Sequence, residues 1–172
     1  MADLKIALAG NPNAGKTTIF NHLTGLHQHT GNWPGKTVEK KEGEIEHDGK
    51  TINIVDLPGT YSLTAYSPEE IIARNYIIGE KPDVVINVVD ATNLERNLYL
   101  TVQLLELDVP VVMALNMSDA LQSDGTKINI DHLSQLLGNI PVVYTSASRG
   151  KGVKELVAKA VGSARKNQKI WR

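Results

Sequence analysis

Gly10-Asn11-Pro12-Asn13-Ala14-Gly15-Lys16-Thr17 stands directly behind the apolar run Leu4 to Ala9 and opens a helix-compatible segment, Lys16 to Thr24. The stretch satisfies the G-x-x-x-x-G-K-[ST] spacing, and a strand before with a helix after is the context that motif needs. Inward-pointing backbone N–H groups of such a loop cradle phosphate oxygens, aided by the positive end of the following helix. Lys16 is then expected to reach the β- and γ-phosphates and the Thr17 hydroxyl to ligate Mg²⁺, with Thr18 beside them. A glycine-rich turn with a chance lysine is the plainer reading, and agreement of every fixed position and both flanks weighs against it.

Bulk composition sets the frame around this loop. The chain has 172 residues, 41% hydrophobic and 22% charged, the profile of one ordinary globular domain with a real core. A formal net charge of −1 supplies no basic excess for displacing counterions, so no nucleic-acid partner is expected. With no cysteine, disulfides and thiolate metal sites are excluded, and a reducing compartment fits. The charged Asp3 and Lys5 interrupt any signal-peptide core, and the runs Val84 to Val89 and Val109 to Leu115 fall well short of the ~20 residues of a spanning helix. The chain as given is therefore expected to be soluble.

Outward from the loop, strands and helices alternate. Leu4 to Ala9 reads as a buried strand, and Lys16 to Gly25 as a helix with Ile19, Phe20 and Leu23 toward the core. Leu26 to Lys36 dissolves into His, Gly, Asn, Trp and Pro and reads as a long loop. Val38 to His47 and Thr51 to Val55 flank an Asp48-Gly49 hairpin signal, and the many charges of the first suit an edge strand. Ser67-Pro68-Glu69-Glu70 carries an N-cap serine, a first-turn proline and a capping glutamate, so a helix runs from there to about Gly79. Val84 to Val89 and Val111 to Leu115 are buried strands; between them Asn93 to Leu107 is a helix with Leu94, Leu98, Thr101 and Leu105 on one stripe. Ser118 to Leu137 reads as loop plus helix, Val142 to Thr145 as the last strand, and Val153 to Ala164 as a closing helix. The expectation is an α/β, Ras-like P-loop fold. It has a mostly parallel six-stranded sheet with one antiparallel edge strand and helices on both faces. One domain is predicted over 1–165, followed by a basic tail at 166–172 that contains Ile170 and Trp171.

Two further stretches choose the base. Asn116-Met117-Ser118-Asp119 follows a strand at the carboxyl edge of the sheet, where open α/β folds bind ligands. A carboxylate there accepts from N1–H and the exocyclic amine of guanine; adenine would leave it desolvated and unpaired. Asn116 is expected to tie this loop to the phosphate loop, and Met117, in place of the usual lysine, to cover the base face. Thr145-Ser146-Ala147 is placed to offer a backbone N–H to the guanine O6. Asp56-Leu57-Pro58-Gly59 supplies D-x-x-G: Asp56 to hold Mg²⁺ through water, the Gly59 N–H to meet a γ-phosphate. Thr37 is the candidate second hydroxyl on Mg²⁺, released when the γ-phosphate leaves. The position after Gly59 is Thr60, which cannot orient water as a carboxamide does, and neither loop carries an arginine finger. Slow intrinsic hydrolysis follows.

Gly31-Asn32-Trp33-Pro34-Gly35-Lys36-Thr37-Val38-Glu39 resembles the first switch of the FeoB ferrous-iron transporter family. Tyr66-Ser67-Pro68-Glu69-Glu70 and Asn87 to Leu100 are similar to the same family, so the likeness covers nearly the whole chain. That resemblance implies the N-terminal cytosolic G domain, which binds GTP or GDP with Mg²⁺, hydrolyses GTP slowly and is accelerated by K⁺ in many members. It implies Asn13 as a K⁺ ligand, with the carbonyls of Gly31 and Trp33 completing a site that replaces an arginine finger. It also implies that the backbone of Thr37 orients the attacking water and that Trp33, Pro34, Gly35 and Lys36 border the nucleotide. Helical and membrane-spanning regions are expected as partners in the full-length transporter, at the cytoplasmic face of the membrane, and homo-oligomer formation through the membrane part is left open. The competing readings are an Era-like or TrmE-like GTPase of ribosome or RNA modification, and a non-catalytic GDP-holding scaffold. His27 and His29 read as loop residues rather than an iron site, for want of a carboxylate cluster. Trp33 is compatible with either an exposed partner contact or a lid over the nucleotide.

Overall fold

The computed structural model describes residues 2–165. Seven strands form one sheet: β1 Leu4–Gly10, β2 Gln28–Asn32, β3 Glu39–His47, β4 Lys50–Asp56, β5 Val84–Asp90, β6 Val111–Asn116 and β7 Val142–Tyr144. Their spatial order is β2-β3-β4-β1-β5-β6-β7, with the β4-β1-β5-β6-β7 stretch parallel. The helices are α1 Lys16–Thr24, α2 Pro68–Glu80, α3 Leu94–Leu105, α4 Ser118–Ser123, α5 Ile130–Leu136 and α6 Val153–Ser163. The parallel strands lie buried on both faces, which is why β5, apart from Asn87, and β6 read as apolar runs. One core layer packs Ile6, Leu8, Phe20, Ile54 and Ile86 under α1 and α6. The other packs Ala7, Val55, Ile72, Tyr76, Leu100 and Leu104 under α2 and α3.

Several local rules act as the residues dictate. The β3–β4 hairpin turns on Asp48 and Gly49, both at positive φ (50° and 77°), the type I′ geometry that Asp-Gly favours. Ser67 caps α2 by accepting the Glu70 N–H at 3.2 Å, with Pro68 in the first turn.

Four expectations need correction. The sheet has seven strands, not six, because Gln28–Asn32 pairs antiparallel with β3 instead of looping free. Its sequence QHTGN has no apolar alternation and four of its five residues are exposed, so only backbone pairing reveals it. The charged strand β3 is consequently interior to the ladder, antiparallel to neighbours on both sides, and β2 is the edge. The inward stripe of α3 is Asn97, Leu100, Thr101 and Leu104, while Leu94, Leu98 and Leu105 are only partly buried at its flanks. An apolar count misplaces that face because a buried asparagine lies on it: Asn97 accepts the Asp90 N–H at 3.2 Å. Ser118 to Leu137 holds two short helices rather than one. The basic tail predicted for 166–172 lies outside the described residues.

Candidate functional site: a phosphate cradle joined to a base pocket

The loop between β1 and α1 is shaped by residues that permit left-handed backbone. Asn13 has φ 67° and Gly15 φ 94°. Ala14 N–H donates to the Asn11 carbonyl at 3.2 Å, closing the turn. Around it lies a cavity of about 510 Å³ lined by Asn11, Pro12, Asn13, Gly15, Lys16, Thr17, Thr18, Gly59 and Met117. Thr17 and Thr18 are exposed at its mouth, whereas Lys16 is buried and pairs with the buried Asp56. That pair joins the end of β4 to the start of α1, so the lysine and the carboxylate assigned to phosphate and Mg²⁺ meet in one place. Asn11 is 4% exposed and neither amide atom has a partner, an expensive arrangement for a buried polar group unless a ligand or neighbour meets it.

A second pocket, of about 110 Å³, shares Gly15, Thr18 and Met117 with the first and adds Asn116, Asp119, Ser146, Ala147 and Ser148. Asn116 links the two. Its Nδ2 donates to the Ala14 carbonyl at 2.9 Å, and its Oδ1 accepts the Thr145 hydroxyl at 2.9 Å and the Ala147 N–H at 3.0 Å. The amide crosses the phosphate loop so closely that a Cβ on Gly15 would overlap its nitrogen. Glycine is required there by the neighbour as well as by φ. Gly10 has a similar constraint, since a Cβ would stand 2.7 Å from the Val88 carbonyl oxygen.

Asp119 is oriented by Ser146, whose hydroxyl donates to Oδ1 at 3.0 Å while accepting the Asp119 N–H at 3.3 Å. Arg149 Nε lies 3.5 Å from Oδ2. The Ser146 hydroxyl above all holds the Asp119 carboxyl below its ordinary range, with backbone N–H groups and Arg149 acting the same way. The group is thus kept as an acceptor, the form that recognises adjacent N–H donors. Ser148 and Arg149 were not expected at the site from sequence; no spacing rule marks them, and only the turn after β7 carries them there.

The third phosphate-side segment is anchored from β1. Leu57 N–H donates to the Leu8 carbonyl at 3.0 Å and Thr60 N–H to the Gly10 carbonyl at 3.0 Å. Gly59 thereby borders the cavity, while Leu57 is buried and Pro58 half-buried behind it. Thr60 is itself 5% exposed, so its side chain is sheltered rather than offered to solvent. Glu70 does more than cap α2. Its carboxylate accepts from the Thr64 hydroxyl at 2.8 Å, the Ser62 hydroxyl at 3.1 Å and the Tyr66 N–H at 3.4 Å. The Thr64 hydroxyl first, then those of Ser62 and the Tyr66 N–H, hold its carboxyl below the usual range.

The remaining predicted segment stands apart. Gly31 pairs with Lys40 in the β2–β3 ladder, and Trp33 accepts the Lys36 N–H at 2.9 Å in a turn through Pro34 and Gly35. Trp33 is neither exposed nor over the nucleotide cavity: it is 7% exposed, edge-on to Tyr76 at 5.7 Å and 76°, with Lys40 Nζ 4.9 Å above its ring. Trp33, Pro34 and Lys36 line a different groove, about 430 Å³, beside α2, and Thr37 is exposed. Asn13 and the carbonyls proposed as its K⁺ partners therefore occupy separate regions in this conformation. His29 lies in strand β2 opposite Glu42 rather than in a loop, and among the described residues no cluster of three or more His, Asp or Glu side chains suits a metal. A Mg²⁺ site of one carboxylate, hydroxyls and phosphate oxygens does not need such a cluster, and Asp56 with Thr17 fits it.

A family model described as ferrous iron transport protein B matches residues 4–160. The chain belongs to the FeoB family. The Fe(2+) transporter FeoB of Escherichia coli K12 is 52% identical over 160 residues, which is 91% of this chain and 21% of that protein. A Porphyromonas gingivalis fusion of Fe(2+) transport protein A with FeoB is 54% identical over 154 residues, 89% of this chain and 18% of the relative. The chain thus spans about a fifth of the length of these curated relatives. Among solved structures, an S. thermophilus NFeoB N11A mutant bound to mGDP is similar at TM-score 0.91 and 52% identity, covering 96% of this chain and 63% of that one. The FeoB G-domain from Methanococcus jannaschii matches at TM-score 0.83 and 52% identity over 96% and 99% of the two chains. The fold is that of a FeoB G domain, and the family match displaces the RNA-linked GTPase reading. No helix among the described residues is long and apolar enough to cross a membrane.

Proposed function

We infer that this G domain binds GTP and hydrolyses it slowly to GDP and phosphate as a switch for ferrous iron uptake by the transporter to which it belongs. The observation that carries the reading is the Asn116 amide, which locks a phosphate cradle to a carboxylate-bearing base pocket. Asp119, kept ionised by Ser146, accepts from the two donors on the guanine edge, and Met117 lies between the pockets to cover the base. Lys16 exchanges Asp56 for phosphate oxygens, which frees Asp56 for the metal side of the site. Thr17, Asp56 and, once the switch closes, Thr37 would hold Mg²⁺, which would supply charge neutralisation to the phosphates. Once the switch brings the carbonyls of Gly31 and Trp33 to Asn13, these residues would hold K⁺, which would supply the positive charge an arginine finger gives elsewhere. Backbone groups of Thr37 and Gly59 orient water, since buried Thr60 does not.

The deciding experiment is GTP turnover with Mg²⁺ in KCl and in NaCl at equal ionic strength, for wild type and Asn13→Ala. Faster turnover in KCl that disappears in Asn13→Ala supports the reading. Turnover that ignores the cation in both proteins removes K⁺ from the mechanism, and no turnover at all leaves a GDP-holding module.

A further inference from the structure

We propose that Gln103 and Arg96 of α3 are positioning residues for GTP hydrolysis, clamping the loop after Gly59 together with α2; this rests on the GTPase reading above. The loop from Leu57 to Ser67 has no regular structure, so its shape depends on what holds it. Glu70 of α2 gathers one flank, as described. The other flank is gathered by α3, forty residues away in sequence. Gln103 Oε1 accepts the Leu63 N–H at 2.6 Å, and the Arg96 guanidinium sits 4.2 Å from the Tyr61 ring centroid. Leu63, 8% exposed, packs in the same cluster as Leu100 and Leu104, so the α3 contact is apolar, polar and cation–π at once.

The helix that makes this clamp is itself tied to the foot of the phosphate loop. Thr101 Oγ1 donates to Asn87 Oδ1 at 2.5 Å, and Asn87 Nδ2 donates to the Ala9 carbonyl at 3.4 Å, one residue before Gly10. Thr101, which the expected stripe contained, and Asn97, which it did not, are thus accounted for as the base of this support. Arg96 is exposed and Gln103 half-buried, and both side chains meet the loop after Gly59. They act on Gly59 through Tyr61 and Leu63, not by touching nucleotide.

The test compares Gln103→Leu, which removes the acceptor at similar size, with Gln103→Glu, which keeps one. Turnover in KCl, GDP affinity and amide exchange at Leu63 are measured for each. Loss of one neutral hydrogen bond on a two-state loop predicts a fall in kcat of about 3–10-fold in Gln103→Leu, with GDP affinity held within about twofold. Exchange at Leu63 accelerates by a similar factor, and Gln103→Glu recovers both. Arg96→Ala, at an exposed position that cannot unfold the domain, lowers kcat by about 2–5-fold. Unchanged kcat in Gln103→Leu and Arg96→Ala, a parallel loss of GDP affinity, or a Gln103→Glu variant no better than Gln103→Leu overturns the proposal. Absence of wild-type turnover overturns instead the GTPase reading; unaltered Leu63 exchange in Gln103→Leu would then dismiss the clamp separately.

Discussion

Replacing Asn116 tests whether the base pocket and the phosphate cradle act as one site. Asn116 is 2% exposed and makes three hydrogen bonds, to the Ala14 carbonyl, the Thr145 hydroxyl and the Ala147 N–H. The orientation of its amide is forced: a carbonyl needs a donor and an N–H needs an acceptor, so Nδ2 faces Ala14 and Oδ1 faces Ala147. All three partners are buried, at 1%, 1% and 3% exposure for Ala14, Thr145 and Ala147. Asn116→Ala strands two backbone groups that cannot turn elsewhere and one hydroxyl that can. At about 1–3 kcal/mol for each buried group left unpaired, and with incomplete additivity, the loss of stability is about 2–4 kcal/mol. Asn116→Asp separates the contributions. It keeps the acceptor for Thr145 and Ala147 but sets a carboxylate oxygen against the Ala14 carbonyl, and should destabilise at least as much as alanine. Urea unfolding with and without GDP and Mg²⁺ reads both quantities, since a ligand that binds only the folded state raises the midpoint according to its affinity. GDP affinity is expected to fall by at least about tenfold in both variants, corresponding to ~1.4 kcal/mol. Near-native stability and affinity in Asn116→Asp would refute the argument, because the Ala14 bond would then hold nothing.

Other outcomes follow from the same geometry. Ser146→Ala removes the main cause of the depressed Asp119 carboxyl. Because the folded-state value is lowered, the ionised form persists as pH falls toward it; in Ser146→Ala the acid limb of GDP binding shifts to higher pH, measurable by titrating affinity across the carboxylate range. Phe20 of α1 is wholly buried in the layer with Ile6, Leu8, Ile54 and Ile86, so Phe20→Ala costs about 3–5 kcal/mol in urea unfolding. Trp33 fluorescence reports the switch: in a chain whose Trp171 is changed to Phe, emission is that of a buried indole and shifts to the red when a non-hydrolysable GTP analogue and Mg²⁺ draw Thr37 toward the site. An unchanged spectrum would mean that the switch does not leave Tyr76.

The phosphate loop, the D-x-x-G segment, the base loop and the alternating α/β order are set by short-range rules, and each is therefore legible in a single chain. Glycine spacing dictates where the backbone can turn, and apolar runs dictate which strands are covered on both faces. The Asp48-Gly49 hairpin and the Ser67 cap belong to the same class, since both are decided within four residues. What the tertiary structure decided is whatever depends on partners distant in sequence. Strand β2 exists only because β3 offers a ladder to residues with no strand pattern of their own. The buried face of α3 follows Asn97 and Thr101, polar residues whose partners are on β5 and its end. Trp33 finds Tyr76, and Glu70 and Gln103 grip the same loop from two helices. Chemistry repeated at fixed spacing is written locally, whereas side-chain pairing across tens of residues is a property of how the layers pack.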